Sequence, residues 1–144
     1  PVVSAGKGMF GQSSSDALLC GANNPPAGTY ITLSYDGTSW SDTGHNLLDR
    51  KDTLAGGSQQ GATNLGIIAG GFDSAPSIVA TSYQYNGSSW VTGPSISTSR
   101  RGGAAAGTYA SCMAVGGEQP SQSNHTEEFT SETTALNVEN ITDS

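Results

Sequence analysis

Three short apolar runs, each ending in small residues, recur along this chain at nearly constant spacing. They read "ALLCGA" (17–22), "GIIAGG" (66–71) and "CMAVGG" (112–117), and the steps from Gly21 to Gly70 and from Gly70 to Gly116 are 49 and 46 residues. A polar, glycine-rich run precedes each of them. A period of this length indicates a repeat architecture in which one supersecondary unit is copied along the chain.

A second motif recurs fifty residues apart, as "SYDGTSW" (34–40) and "QYNGSSW" (84–90). Asp-Gly and Asn-Gly pairs favour two-residue type I′ hairpin turns, because both central positions need a positive φ. The aromatic residue before the turn and the Trp after it are then expected to pack across neighbouring strands. The predicted turn glycines are Gly37 and Gly87. Trp40 and Trp90 are expected to lie near the preceding aromatic, Tyr35 or Tyr85, close enough to pack on it or on its neighbour.

Each unit is predicted to contain four short strands, since short apolar runs are interrupted by Gly, Asn and Ser clusters. No long segment has the 3.6-residue periodicity of a helix. Only 12% of the residues are charged, whereas glycine occurs 20 times. We therefore expect an all-β fold of three four-stranded antiparallel units within one domain, residues 1–144, with approximate boundaries at 1–46, 47–94 and 95–144.

The second unit resembles a kelch repeat. Kelch blades carry a diglycine after the second strand, followed by a Tyr and a Trp with six residues between them. The matching residues here are Gly70, Gly71, Tyr83 and Trp90, and Arg100-Arg101 is similar to the basic residue that often begins the first kelch strand. The other units depart from the pattern: the first has Gly21-Ala22 and Leu33, and the third keeps Gly116-Gly117 but replaces the late aromatic motif with Phe129 alone. The resemblance implies β-propeller blades.

The stretch "YNGSSW…STSRRGGAAAGTYASCMAVGG" is also similar to divergent kelch-like repeats in tail and surface proteins of marine bacteriophages. That resemblance implies a non-enzymatic virion protein on the particle surface, as a capsid decoration or as a tail or fibre component. The alternative is a kelch-type protein- or glycan-recognition domain of a larger non-viral protein. A hydrolase ranks third, because no acid–base constellation accompanies the repeats.

Three blades are fewer than the four to eight with which propellers usually close. We therefore expect oligomerisation or assembly contacts to complete the fold, and two copies could form a six-bladed ring with two-fold symmetry. The chain could instead be part of a larger protein, or its units could pack side by side on another surface. The acidic segment 126–144, where the third unit has lost the motif, is the expected subunit contact.

The loops after the small-residue runs, 23–28, 72–77 and 118–124, would emerge on one face of equivalent blades. Polar and aromatic side chains there could bind sugars, or the prolines could simply stiffen the connections. The binding candidates in these loops are Asn23, Asn24, Phe72, Asp73 and Gln119. Arg50-Lys51 and Arg100-Arg101 could form a cationic rim for an acidic glycan or a neighbouring subunit. Alternatively, they could hydrogen-bond to blade carbonyls.

Several other functions are disfavoured. The net charge of −7 opposes binding to a phosphate backbone, and no apolar run approaches the roughly 20 residues that a membrane span needs. Cys20 and Cys112 are predicted to be buried free thiols, and His45 and His125 to be surface loop residues without partners at metal-ligand spacing. Glu127 and Glu128 adjoin on one strand and face opposite sides, so they cannot form a glycosidase pair. We expect no cofactor.

Overall fold

The computed structural model describes residues 8–22, 29–49, 55–58, 65–73, 77–130 and 137–140. The regular structure in these residues is β-strand, arranged in three antiparallel sheets that each contain four strands in chain order. The prediction of an all-β fold is confirmed. Within the described residues the sheets follow one another along the chain and do not close into a ring.

The strands of each sheet come from one stretch of the chain. The first sheet contains β1 (Gly8–Ser13), β2 (Asp16–Ala22), β3 (Thr29–Tyr35) and β4 (Trp40–Asp42). The second contains β5 (Ala55–Ser58), β6 (Gly66–Ala69), β7 (Ser82–Tyr85) and β8 (Trp90–Gly93). The third contains β9 (Ala104–Gly107), β10 (Ser111–Val115), β11 (His125–Thr130) and β12 (Asn137–Asn140). The three apolar runs thus supply the second strand of each sheet.

The hairpin turns differ from the prediction. Tyr35 pairs with Trp40, so four residues connect β3 to β4. The amide of Asp36 donates to the carbonyl of Ser39, and the Asp36 carboxylate accepts from the amides of Thr38 and Ser39, both at 2.8 Å. The expectation of a two-residue turn centred on Asp36 and Gly37 is therefore wrong, because the side chain takes over bonds that a backbone carbonyl would make.

The second sheet repeats this turn with an amide in place of the carboxylate. Tyr85 pairs with Trp90, and Asn86 Oδ1 accepts from the amides of Ser88 and Ser89 at 3.1 and 2.9 Å. The predicted positive φ is present at Gly87, at 95°, and its counterpart Gly37 has a φ of 94°. Each turn places its aromatic and its Trp directly opposite one another.

The sheets stack face to face because strand residues alternate between two sides and each sheet has an apolar side. The first seam, between the first and second sheets, is the main hydrophobic cluster. Its members are Phe10, Leu18, Cys20, Leu47, Ile68, Tyr83, Tyr85 and Trp90. The Phe10 ring lies so close to Gly66 that a Cβ on Gly66 would collide with the phenyl group.

The second seam lies between the second and third sheets. It encloses a small cavity of about 20 Å³, lined among others by Ile67, Ile96, Ala114, Glu127 and Phe129. The first strands run together through both seams, since β1 contacts β5 and β5 contacts β9. The successive sheets thus meet along their first strands and through their faces.

Candidate functional site

Trp90 joins the second sheet to the first. Only 3% of its surface is exposed, and its indole Nε1 donates a hydrogen bond of 2.8 Å to Oγ1 of Thr32, which is fully buried on β3. The Phe10 ring meets the indole edge-on at a centroid distance of 6.2 Å, and the Tyr85 ring lies 5.1 Å from the indole, also between centroids. The "YNGSSW" motif therefore fills the first seam, with its one polar atom satisfied.

Tyr85 carries a second polar contact at the edge of this seam. Its hydroxyl lies 2.5 Å from Nδ1 of His45, and the two rings are 5.8 Å apart. Burial raises the pKa of Tyr85, so the phenol stays neutral at physiological pH. His45 does lie in a loop, as predicted, but it is half-buried and holds the next sheet rather than standing alone at the surface.

A buried ion pair crosses the second seam. Arg100 is 1% exposed, and its Nη2 lies 3.0 Å from Oε1 of Glu127, which is equally buried. Its guanidinium also donates to the carbonyls of His125 and Ala114, both at 3.3 Å. Glu127 Oε2 accepts from the amide of Ser97 at 2.5 Å. Of the two expectations for Arg100, hydrogen bonding to blade carbonyls and a cationic rim, these contacts fit the first. The side chain is buried, so it cannot form part of a cationic rim at the surface.

Glu127 is the residue that sequence analysis missed. The prediction that Glu127 and Glu128 face opposite sides of one strand is confirmed, because Glu127 is buried and Glu128 is exposed. The repeat carries a signal for its burial: Glu127 pairs with Ala114 as Tyr83 pairs with Ile68 and as Leu33 pairs with Leu19. An acidic residue in a position held by apolar residues in the other units requires a buried cationic partner.

The segment that connects the second unit to the third packs against the diglycine of the second unit. The amide of Gly71 donates to the carbonyl of Arg100 at 2.8 Å, and a Cβ on Gly70 would collide with that same carbonyl oxygen. Gly70 and Gly71 both have positive φ, at 69° and 103°. Only glycine satisfies both conditions without strain, so the diglycine serves the packing of the chain in this unit.

Some of the loop candidates come together at the end of the second seam. The Arg101 guanidinium stacks over the Phe72 ring at 5.4 Å and pairs with Glu118, Nη2 to Oε1 at 2.6 Å. An open groove of about 420 Å³ lies beside this pair, lined also by Gln122 and Ser123. This juxtaposition of the second and third loops is the closest approach to a small-molecule site among the sequence-predicted residues.

The remaining candidates lie apart from this groove or outside the description. Asp73 closes its own loop by accepting from the amide of Ser77 at 3.1 Å, and Gln119 is exposed. Asn23, Asn24, Arg50 and Lys51 lie outside the described residues. His125 begins strand β11, so its expected place in a surface loop is wrong.

Both cysteines are free thiols. Cys20 is fully buried, its Sγ donates to the carbonyl of Gly8 at 3.4 Å, and burial raises its pKa. Cys112 is only half-buried, whereas it was expected to be buried, and burial raises its pKa to about 11.

Among the residues that the structure describes, no three His, Cys, Asp or Glu side chains cluster as a metal site would require. Nor does any helix there reach the length and hydrophobicity of a membrane span.

No protein-family model matches this chain, and no curated protein matches it significantly. The resemblance to kelch-like and bacteriophage repeats therefore stays a prediction from the sequence.

Proposed function

We propose that this chain is a non-enzymatic structural protein of a bacteriophage virion, built of kelch-like propeller blades that assemble through their faces. One observation carries the proposal: the side chains of the repeated motifs join one sheet to the next. Trp90 hydrogen-bonds across the first seam to Thr32, and Arg100 pairs across the second seam with Glu127. Side chains buried in this way hold a scaffold together.

The ends of the stack support an assembling role. The first sheet repeats the aromatic pair of the second, with Tyr35 and Trp40 at a centroid distance of 5.0 Å, yet both rings are only partly buried. Met9 on the first sheet and Met113 on the third are 59% and 42% exposed. Partly exposed aromatic and methionine side chains are typical of surfaces that bind protein. The resemblance to phage tail and surface proteins makes other virion subunits the expected partners.

Targeted mass spectrometry of purified particles tests the virion assignment. Trypsin releases residues 52–100 as one peptide, between Lys51 and Arg100. We expect this peptide to co-purify with density-banded phage particles from the culture that carries the gene. It should remain after a wash in high salt, since the contacts are largely apolar. Recovery of the peptide from the cell fraction alone would overturn the proposal.

Glycan recognition is a second candidate, favoured by the groove beside Phe72 and Arg101. A charged pair beside an aromatic ring suits the hydroxyls and the apolar face of a sugar. A glycan array probed with the wild type and with Arg101→Ala would test this. Signals that disappear in the variant support the candidate, whereas no hits, or hits unchanged in the variant, reject it. Asp42→Ala, on the exposed surface of the first sheet, is a suitable control.

A further inference from the structure

The first seam supplies a template for how one sheet joins the next. The sheet that follows contributes Tyr85 and Trp90, and the sheet that precedes contributes Thr32 as hydrogen-bond acceptor with Leu18 and Cys20 beside it. These three lie on one face of the first sheet, because Cys20 pairs with Thr32 and Leu18 is two residues before Cys20. In this seam the first sheet accepts through one face, which we call its leading face, and the second sheet donates through the opposite kind of face, which we call its rear face.

The rear face of the first sheet carries the donating half of this template. Tyr35 pairs with Trp40 as Tyr85 pairs with Trp90, after the same four-residue turn. Tyr35 and Trp40 are partly exposed, whereas Tyr85 and Trp90 are each 3% exposed. Met9 lies on the same face, paired with Leu19, and is 59% exposed. We name Met9, Tyr35 and Trp40 the rear end face.

The leading face of the third sheet carries the accepting half. Thr126 pairs with Val115, immediately before Gly116, as Thr32 pairs with Cys20 immediately before Gly21. Thr126 is only half-buried, whereas Thr32 has no exposed surface. Met113 occupies the position of Leu18 and is 42% exposed, while Leu18 is 4% exposed. We name Met113, Val115 and Thr126 the leading end face.

From these two faces we infer that a second copy of this chain continues the stack. The rear end face of each copy packs on the leading end face of the other, and Trp40 donates to Thr126 of the partner copy as Trp90 donates to Thr32. Both halves of one interface are present at opposite ends of one chain, so the fitting occupant is the chain itself. Two copies give six sheets, within the usual range for a closed propeller, and the two equivalent seams obey a two-fold axis.

This inference rests on the proposed assembling function and can be tested apart from it. Light scattering after gel filtration measures the mass directly, and the wild type is expected at twice 14.6 kDa. Trp40→Ala and Thr126→Arg should each convert the dimer to a monomer, with a rise in the dissociation constant of at least tenfold. The matched controls are Val91→Ala and Thr92→Arg, at exposed positions of β8, and both should stay dimeric. Circular dichroism melts establish that every variant is folded.

Mixing the two monomeric variants distinguishes head-to-tail assembly from a dimer of like faces. The intact rear end face of Thr126→Arg can meet the intact leading end face of Trp40→Ala, so the mixture should regain a species of two chains. A dimer through two rear faces would instead be unaffected by Thr126→Arg, which would overturn the inference. A monomeric wild type, or a species larger than two copies, would overturn it as well. If the chain is then still found in particles, the proposed function stands and a different virion protein covers the end faces.

Discussion

Arg100 and Glu127, 27 residues apart in the sequence, form an ion pair in the second seam, with Nη2 of Arg100 3.0 Å from Oε1 of Glu127. Both side chains are buried. The pair is not fully satisfied: among the described residues, Arg100 Nε has no hydrogen-bond acceptor. Desolvation of two charges offsets much of their attraction, so such a pair contributes little net stability. Loss of one partner is a different matter, because it leaves an unpaired buried charge.

Glu127→Gln should therefore destabilise the protein by about 3 kcal/mol or more, as measured by the free energy of unfolding in urea. The isosteric amide keeps the packing but leaves the Arg100 charge uncompensated. Glu118→Gln is the matched control, since its partner Arg101 is well exposed, and we expect a loss below about 1 kcal/mol. The double variant Arg100→Met with Glu127→Leu should be more stable than Glu127→Gln. Equal losses in Glu127→Gln and Glu118→Gln would contradict the prediction.

The hydrogen bond from Trp90 to Thr32 gives a second prediction, for the first seam. Thr32→Val keeps the shape of the side chain but strands the buried indole N–H, at an expected cost of about 1–3 kcal/mol in the free energy of unfolding. Thr92→Val, at an exposed position of β8, should change it by less than about 0.5 kcal/mol. A double-mutant cycle with Trp90→Phe isolates the bond. A coupling energy near zero would mean that the contact contributes nothing.

Sequence reasoning reached the strands and the aromatic pairs because these depend on local spacing. The Asp-Gly or Asn-Gly pair indicates a hairpin and brings the Trp near the preceding aromatic without help from the rest of the fold, but it does not fix the register. The turn is two residues longer than predicted, since the choice between a two-residue and a four-residue connection depends on the hydrogen bonds that the Asp36 and Asn86 side chains accept.

The features that sequence reasoning missed all depend on contacts between units. A glutamate in a strand is ordinarily solvent-facing. The repeat places Glu127 at a position that is apolar in the other units, but it does not identify Arg100, in the link before β9, as its partner. The same holds for the contact of His45 with Tyr85 and for the stacking of Arg101 on Phe72. In each case two distant segments meet because the sheets stack, and neither segment alone identifies the residue that it will contact.

The Asn86 turn gives a third prediction, which uses the first sheet as its guide. Asp36 makes the same contacts to the two following amides that Asn86 makes, so Asn86→Asp should leave stability within about 0.5 kcal/mol of the wild type. Asn86→Ala removes the acceptor of both amides and should cost about 1 kcal/mol. Thermal melts followed by circular dichroism measure both, with Ser95→Ala, at an exposed position outside the turn, as control. An Asn86→Asp variant as unstable as Asn86→Ala would show that charge matters more than the acceptor.

The buried thiols give the last prediction, a loss of stability at alkaline pH. Burial raises the pKa of Cys20 and that of Cys112, the latter to about 11, whereas an unfolded thiol ionises near pH 8.5. Below that pH both states hold their protons and the stability is fully present. As the pH rises further, the unfolded chain releases protons that the folded protein retains, so the free energy of unfolding falls.

Cys20, which is fully buried, should contribute a slope on the order of 1 kcal/mol per pH unit above pH 8.5. Urea midpoints measured between pH 7 and 9 report this slope while the tyrosines of the unfolded chain, with a pKa of about 10, are still mostly protonated. Cys20→Ala will be less stable than the wild type at pH 7, because it leaves a small cavity in the first seam. Its stability should nevertheless decline less steeply with pH than that of the wild type. Cys112→Ala should lose a similar share of the slope, because the folded Cys112 thiol, with its pKa of about 11, also keeps its proton in this pH range. Parallel pH profiles for the wild type and Cys20→Ala would show that the Cys20 thiol is not the group whose proton is lost on unfolding.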